Sequence, residues 1–232
     1  MSERVYVITG AFGVLGSAVA KAAAAQGIRV GAIDASMDSP QGFVESLGSE
    51  ALVLSGIDLI DPAAAQAAVT AVHARFERLD AVINVAGGFR WQTLEDGDPE
   101  VWDKLYALNV KTAANTSRAA IPHLRTSSAG RIVNVGANGA VRAAAGMGAY
   151  AASKAGVHRL TESLAEELKA DGVTVNAVLP SIIDTPANRA DMPKADFSAW
   201  VSPDQLAAVI LFLASEEASA VTGALLPVTG RV

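Results

Sequence analysis

The sequence predicts an α/β fold in which a parallel sheet of about seven strands lies between two layers of helices. Short runs rich in β-branched residues alternate along the chain with longer, alanine-rich stretches. The short runs are apolar on both faces, which is typical of parallel strands that helices cover on both sides. Because βαβ crossovers are right-handed, this alternation predicts a three-layer, doubly wound fold.

Seven strands and six helices follow from the pattern. The strands are expected at residues 4–9, 28–34, 51–55, 81–85, 131–136, 173–179 and 224–228. The helices are expected at residues 14–26, 41–47, 61–78, 99–124, 148–170 and 203–214. Gly27 is suited to end the first helix with a positive φ. Asp61 before Pro62 is a helix cap followed by proline at the first helical position. The long helix at 99–124 is expected to bend before Asn109.

Length and composition indicate one domain over residues 1–232. The chain is 51% apolar and 18% charged, which suits a soluble globular unit. Residues 180–202 form the longest stretch without a helical or strand pattern. Because such stretches in compact domains commonly close over a ligand, we expect a substrate lid there.

Charge and composition argue against several classes of protein. The net charge is −6 and no basic cluster is present, which disfavours nucleic acid or an anionic membrane as a partner. Cysteine is absent and the three histidines show no ligand spacing, so no metal site is predicted. No apolar run approaches the roughly 18 residues of a membrane span. The N-terminal residues 1–4 show no signal-peptide pattern, so a cytoplasmic location is expected.

A glycine-rich turn joins the first strand to the first helix. Residues 9–16 read TGAFGVLG, which places glycines at 10, 13 and 16. The first glycine allows a tight turn, the second a close approach to a pyrophosphate, and the third close packing of the helix on the sheet. The helix N-terminus then favours the phosphates. The turn therefore predicts a Rossmann-type dinucleotide site contacted by Gly10, Phe12, Gly13, Val14, Leu15 and Gly16.

Asp34 at the end of the second strand indicates which dinucleotide is bound. A carboxylate there accepts hydrogen bonds from the adenosine ribose hydroxyls and repels a 2′-phosphate. No Arg or Lys directly follows it, and Phe12 occupies a turn position where a basic residue could meet that phosphate. We therefore expect NAD, and NADH in preference to NADPH.

Tyr150 and Lys154 are the predicted catalytic pair. They are four residues apart on a predicted helix and so share one face. A lysine ammonium beside the phenol is expected to lower the tyrosine pKa. The pair is then suited to act as a general acid or base beside a nicotinamide.

These features together resemble the short-chain dehydrogenase/reductase family over the whole chain. The matching segments are residues 9–16, 58–59, 84–87, 108–110, 131–134 and 150–156, with Pro180. The resemblance implies that Lys154 also holds the nicotinamide ribose and that Asn109 supports a water and proton relay, which completes a catalytic set of Tyr150, Lys154 and Asn109. It implies further cofactor contacts from Asp58, Leu59, Ala86, Gly87, Gly88, Pro180, Ile183 and Thr185.

One position departs from the family pattern. Most members carry a serine where this chain has Ala137, and the neighbouring Gly136 and Asn138 also lack a hydroxyl. A missing donor of this kind costs about 3 kcal/mol of oxyanion stabilisation. A simple alcohol or ketone substrate is therefore disfavoured.

The glycines at 10, 13 and 16 are a second departure, since the simple members of the family have a spacing that corresponds to 10, 14 and 16. Both departures are similar to a branch of the family, dihydropteridine reductase, which uses NADH. Residues 178–200 (VLPSIIDTPANRADMPKADFSAW) resemble that branch closely. The resemblance implies a substrate pocket formed by Phe89, Ala137, Met147, Tyr150 and Asn188. Phe89 replaces a tryptophan of the branch.

Three functions remain open. The first is NADH-dependent reduction of a quinonoid dihydropterin or another electron-poor conjugated ring, with Tyr150 as proton donor. The second is a dehydrogenase or reductase of an alcohol or carbonyl compound, with Asn138 or a water in place of the serine. The third is an NAD-binding sensor or scaffold without catalysis. The two long helices at 99–124 and 148–170 carry apolar residues on more than one face, so a homodimer or homotetramer is expected.

Overall fold

The computed structural model describes residues 4–232 as a seven-stranded parallel sheet with helices on both sides. Residues 1–3, on which the prediction about a signal peptide depends, lie outside the described residues. The strands are β1 Val5–Thr9, β2 Arg29–Ile33, β3 Leu52–Leu54, β4 Ala81–Asn84, β5 Arg131–Val135, β6 Thr174–Pro180 and β7 Leu225–Val228. Their spatial order is β3-β2-β1-β4-β5-β6-β7, which confirms the predicted doubly wound fold.

The strand order reverses beside β1. Strand β1 pairs with β2 on one side and with β4 on the other, always in parallel. The chain therefore winds outward in both directions from this point, and the carboxyl ends of β1 and β4 flank a crevice. In open α/β sheets this crevice is where ligands bind.

The described part of the chain contains eight α-helices. They are α1 Val14–Ala25, α2 Phe43–Leu47, α3 Pro62–Phe76, α4 Glu100–Tyr106, α5 Thr112–Leu124, α6 Gly148–Leu168, α7 Pro186–Asp191 and α8 Pro203–Leu213. Tyr6 and Ile8 of β1 pack into the layer of α1 and α8, whereas Val5 and Val7 pack into the layer of α3, α5 and α6. The sheet is thus buried on both faces, as its apolar strands predict.

Local signals at the helix ends agree with the sequence. The Asp61 side chain accepts the backbone N–H of Ala63 at 2.8 Å, directly before α3. Gly27 follows α1 with a φ of +76°. Asp61 thus provides an acceptor for a backbone N–H that has no partner within the helix, and Gly27 adopts the positive φ that ends the helix.

The long helix at 99–124 is interrupted rather than simply bent. Residues Ala107–Lys111 form one turn of π-helix between α4 and α5. Asn109 lies inside this turn, where the prediction placed a bend just before it. Such π-turns occur frequently at functional sites because the extra residue redirects side chains.

The expectation of an irregular stretch at 180–202 is wrong in part. The stretch contains α7 and a parallel bridge between Ile183 and Val201. The Thr185 side chain accepts the N–H of Asn188 at 3.2 Å, and Pro186 occupies the first position of α7. This is the same cap-and-proline signal as Asp61 and Pro62. The segment was too short to show helical periodicity.

Candidate active site

A cleft of about 1270 Å³ opens along the carboxyl ends of β1, β2, β4, β5 and β6. It lies at the point where the strand order reverses. The predicted site residues that line it are Gly10, Phe12, Gly13, Val14, Leu15, Gly16, Asp34, Asp58, Leu59, Ala86, Gly87, Gly88, Phe89, Met147, Tyr150, Lys154, Pro180, Ile183, Thr185 and Asn188. Asn109 and Ala137 are the two predicted residues that lie outside the lining. Most of the residues predicted from the sequence therefore lie together in one cleft.

The glycine turn packs against the end of β4. Gly10 has a φ of +62°, and a Cβ there would lie 2.8 Å from the Ala86 Cα. A Cβ at Gly16 would overlap the carbonyl oxygen of Gly10. No side chain caps the N-terminus of α1, which begins after Gly13 and faces the cleft. This cradle of close backbone and uncapped helix N–H groups fits an anionic diphosphate.

Asp34 is held at the edge of the cleft by two backbone groups. Its carboxylate accepts the N–H of Phe12 and the N–H of Ser36, each at 2.9 Å. These contacts fix the carboxylate between the glycine turn and the segment after β2. Among the described residues that line the cleft, Arg90 and Lys154 are the basic ones, and neither belongs to these two segments. The remaining lone pairs of Asp34 suit ribose hydroxyls.

Asp58 and Leu59 differ in how they meet the cleft. Asp58 is exposed, and its carboxylate accepts the backbone N–H of Ile60 at 2.9 Å. Leu59 is buried in the core between the sheet and α3, although it also borders the cleft. The segment thus presents a polar group beside an apolar floor.

Tyr150 and Lys154 lie four residues apart on α6, and both line the cleft. Lys154 is buried, and its Nζ donates to the carbonyl oxygen of Val135 at 2.8 Å. Burial raises the pKa of Tyr150 from 10.0 to about 12 and lowers the pKa of Lys154 from 10.5 to about 8. The predicted lowering of the tyrosine pKa is therefore wrong for this structure. Burial favours the neutral form of each group, and this effect exceeds any attraction between the two.

The Asn109 side chain connects the segment at Gly88 with α6 at Ser153. Its Oδ1 accepts the N–H of Gly88 at 2.8 Å, while its Nδ2 donates to the Gly88 carbonyl at 3.1 Å and to the Ser153 hydroxyl at 2.9 Å. A Cβ at Gly87 would lie 2.5 Å from Asn109 Oδ1 and 3.2 Å from Lys154 Nζ. The Asn109 side chain is thus committed to holding this backbone beside the lysine, and it does not project into the cleft.

Ala137 is buried below the cleft floor rather than exposed in it. Its side chain position is 4% exposed, and its backbone N–H donates to Nε2 of His158 at 3.3 Å. Gly136, its neighbour, lines the cleft. His158 was not among the predicted site residues, although its spacing of four residues from Lys154 on one helix face was a usable signal.

Aromatic and thioether side chains surround Tyr150. The Phe89 ring meets the Tyr150 ring edge-on, with centroids 4.9 Å apart. Met147 and Trp91 also line this end of the cleft. Trp91 donates from Nε1 to the carbonyl oxygen of Ala145 at 3.1 Å, which ties two loops together. Trp91 was not predicted as a site residue because a lone tryptophan in a loop has no distinguishing pattern.

Asn188 lines the cleft from the segment at 180–202. Its Nδ2 donates to the carbonyl oxygen of Ile183 at 2.8 Å, so the amide donor is used within the segment. The Oδ1 atom is the part of this side chain that suits a ligand donor. Met192 also lines the cleft, although it was not among the predicted site residues.

Two further features are absent from residues 4–232. No group of three or more His, Asp or Glu residues in this part of the chain is arranged to hold a metal ion. None of the described helices combines the length and apolarity needed to cross a membrane.

Comparisons with known proteins agree on one family. Residues 4–196 match the family model described as short chain dehydrogenase. Nodulation protein G of Azospirillum brasilense is 34% identical, over 99% of this chain and 98% of that protein. D-threitol dehydrogenase of Mycolicibacterium smegmatis is 32% identical, over 99% and 93%. Carveol dehydrogenase from Mycobacterium avium, solved in complex with NAD, superposes with a TM-score of 0.87 at 27% identity, over 98% of this chain and 96% of that one.

Proposed function

This chain belongs to the short-chain dehydrogenase/reductase family and is an NAD(P)H-dependent oxidoreductase, and on that basis we propose that it uses NADH to reduce a planar, electron-poor ring such as a quinonoid dihydropterin. The observation that carries the proposal is the substrate end of the cleft. Phe89 and Tyr150 meet there edge-on, and directly behind this end the chain has Ala137, where the family resemblance implies a serine hydroxyl. This family assignment disfavours the sensor or scaffold function.

The cofactor end of the cleft supports NADH. The glycine turn and the start of α1 hold the diphosphate, and the Asp34 carboxylate accepts hydrogen bonds from the adenosine ribose. A 2′-phosphate at that ribose would meet the carboxylate at close range, where like charges repel. Asp58, Leu59 and residues 86–88 border the rest of the cofactor. The bound nicotinamide supplies the hydride.

Tyr150 supplies the proton that completes the reduction. With a pKa of about 12, its phenol stays protonated throughout the physiological range and acts as an acid. Lys154, with a pKa of about 8, is mostly charged at pH 7 and favours the phenolate left after proton transfer. Asn109 keeps Gly87 and Gly88 against Lys154, so it acts by positioning.

The absence of a hydroxyl at Ala137 suits a conjugated acceptor. A simple carbonyl gathers the developing charge on one oxygen, which then needs a strong donor. A conjugated imine spreads that charge over its ring. The flat aromatic surfaces of Phe89 and Trp91 are suited to contact such a ring.

Residues 180–202 are proposed as the substrate lid. Asn188 and Ile183 line the cleft from this segment. Asp184 and Arg189 form a two-pronged ion pair at 2.5 and 2.7 Å, and the Arg189 guanidinium lies 4.8 Å from the Phe197 ring centre. These contacts connect the start, the helix and the end of the segment, which supports its role as a single lid.

A carbonyl or alcohol substrate is the second candidate. D-threitol dehydrogenase and carveol dehydrogenase, by their names, act on alcohols. In this case a polar group near Ala137, such as the Asn138 amide, replaces the serine.

The two candidates are separated by NADH consumption with a quinonoid dihydropterin and with a panel of ketones and aldehydes. We expect consumption above the uncatalysed rate with the pterin. Tyr150→Phe lowers kcat by about 100-fold or more with NADH binding unchanged, since it removes a general acid. Tyr106→Phe, which removes the same hydroxyl from a half-exposed tyrosine on α4 and keeps its ring, serves as the matched control. Strong turnover of carbonyls with none of the pterin establishes the second candidate instead.

A further inference from the structure

The end of β5 is held by two side chains of α6. Lys154 donates from Nζ to the Val135 carbonyl at 2.8 Å, and the Ala137 N–H donates to Nε2 of His158 at 3.3 Å. Lys154 is 5% exposed and His158 is 3% exposed. These two contacts hold the backbone on either side of Gly136, and Val135 and Gly136 line the cleft.

His158 shares a helix face with the proposed proton donor. Tyr150, Lys154 and His158 occupy positions i, i+4 and i+8 of α6. The imidazole also packs against Gly136, where a Cβ would lie 2.6 Å from Nε2. A side chain at 136 and the ring of His158 therefore exclude each other. The glycine beside Ala137 is the residue that leaves room for this histidine.

The hydrogen bond from Ala137 requires a neutral His158. A protonated imidazole has no acceptor, so the proton of the neutral ring must lie on Nδ1. Burial lowers the pKa of His158, and the positive charges of Arg159 and Lys154 lower it further. The neutral acceptor form is therefore favoured at pH 7.

We propose that His158 is a positioning residue, whose Nε2 holds the Ala137 peptide and thereby the cleft floor at the place where most family members carry a serine. Without this acceptor, the segment 135–137 shifts, and Lys154 loses the fixed carbonyl that orients it relative to Tyr150. The kinetic consequence rests on the proposed reductase function, whereas the structural consequence does not.

The test compares His158→Leu, which lacks an acceptor, with His158→Gln, whose amide oxygen is able to accept the same N–H. His73→Leu, on α3 and far from the cleft, is the matched control. Amide hydrogen exchange is measured on the intact protein, and the fragment covering residues 131–140 is then analysed. This measurement reports on the hydrogen bond between Ala137 and His158 without any substrate. NADH oxidation with the best acceptor gives kcat, and NADH fluorescence gives Kd. All kinetic measurements are made well below the melting temperature of each variant.

In His158→Leu, the backbone amides of residues 135–137 are expected to exchange hydrogen about 10-fold faster than in the wild type, because local opening becomes easier. Its kcat falls at least about 10-fold while the NADH Kd changes less than about threefold, because misplaced groups slow the chemical step. His158→Gln restores both values.

Unchanged exchange or an unchanged kcat in His158→Leu overturns the proposal. Losses that His158→Gln does not restore also overturn it, since they indicate a general folding defect. If the wild-type protein turns over no acceptor, the proposed function fails by itself, and the exchange measurement alone decides whether His158 holds the segment.

Discussion

Lys154 combines a proposed functional role with a cost in stability. Burial lowers its pKa from 10.5 to about 8, so the folded protein holds the proton less tightly than the unfolded chain. Between these two values the unfolded chain carries the extra proton, and stability rises with pH. Below pH 8 the buried lysine is protonated, and its burial then lowers the free energy of unfolding by up to about 3 kcal/mol.

We expect Lys154→Met to raise the free energy of unfolding at pH 7 while abolishing turnover. The advantage of the variant shrinks as pH rises from 8 to 10.5, since the wild-type lysine then sheds its proton. Urea unfolding at pH 7, 8.5 and 10 measures this. Lys169→Met, at an exposed lysine after α6, is the control with no such dependence. A variant less stable than wild type at pH 7 contradicts the expectation.

Asp34 is the residue that we expect to set the preference between NADH and NADPH. Replacing its carboxylate by a hydroxyl in Asp34→Ser removes the repulsion of a 2′-phosphate. The ratio of kcat/KM for NADH to that for NADPH is expected to fall at least about 10-fold, which corresponds to roughly 1.4 kcal/mol. Asp38→Ser removes the same charge from an exposed position of the same segment and leaves the ratio unchanged. Equal shifts in both variants indicate a general charge effect instead.

The position of a single residue in the cleft was predictable from sequence where that position depends on local spacing. Tyr150 and Lys154 follow from one helical period, and Asp34 follows from its place at the end of a strand. His158 was not predictable in this way, because its role arises from a contact across α6 and β5 that needs Gly136 opposite it. The direction of the Tyr150 pKa shift was wrong because burial is a property of the assembled cleft.

The glycine turn and α1 act as one element, and two of its glycines have separable roles. A Cβ at Gly16 overlaps the carbonyl oxygen of Gly10, whereas a Cβ at Gly13 lies 3.3 Å from the same atom. Gly16→Ala must therefore move α1 off the sheet, while Gly13→Ala needs only a small adjustment. Overpacking of this kind costs roughly 1–3 kcal/mol.

We expect Gly16→Ala to lower both the melting temperature and the NADH affinity, the latter by about 10-fold or more, since the helix N-terminus moves from the phosphates. Gly13→Ala weakens NADH binding with little change in melting temperature, because its Cβ obstructs the close approach of the pyrophosphate. Thermal melting and NADH fluorescence distinguish the two. Gly148→Ala, at an exposed position at the start of α6, is the control. A Gly13→Ala protein with wild-type affinity contradicts the assignment of this turn to the phosphates.

Elements were predictable where their pattern was long. The helices at 14–26 and 148–170 and the core strands appear within a few residues of their expected bounds. The π-turn at 107–111 and α7 were missed because each spans fewer than two helical turns, too short for apolar periodicity to identify. At α7 the Thr185 cap and Pro186 carried the available signal.

At the scale of the whole molecule, the outer surface of α4 carries large aromatic side chains that the rest of the described chain leaves partly exposed. Trp102 is 40% exposed and Tyr106 is 49% exposed. The same helix packs on α6, where Trp102 lies near Gly148 and Tyr106 near Gly156. Aromatic residues grouped on a surface are typical of a protein interface.

We therefore expect a homodimer, or a dimer of dimers, formed through α4 and α6. Light scattering should give a mass of at least twice the 23.7 kDa of one chain. A charge buried in such an interface is costly unless it is paired, so Tyr106→Glu should shift the protein towards monomers at micromolar concentration. Val44→Glu, at a similarly exposed apolar residue on α2, should leave the mass unchanged. Because α6 also carries Tyr150 and Lys154, loss of the dimer should lower turnover more than NADH affinity. A wild-type protein that is monomeric by light scattering contradicts this interface, and the exposed aromatic residues then belong to a surface for another partner.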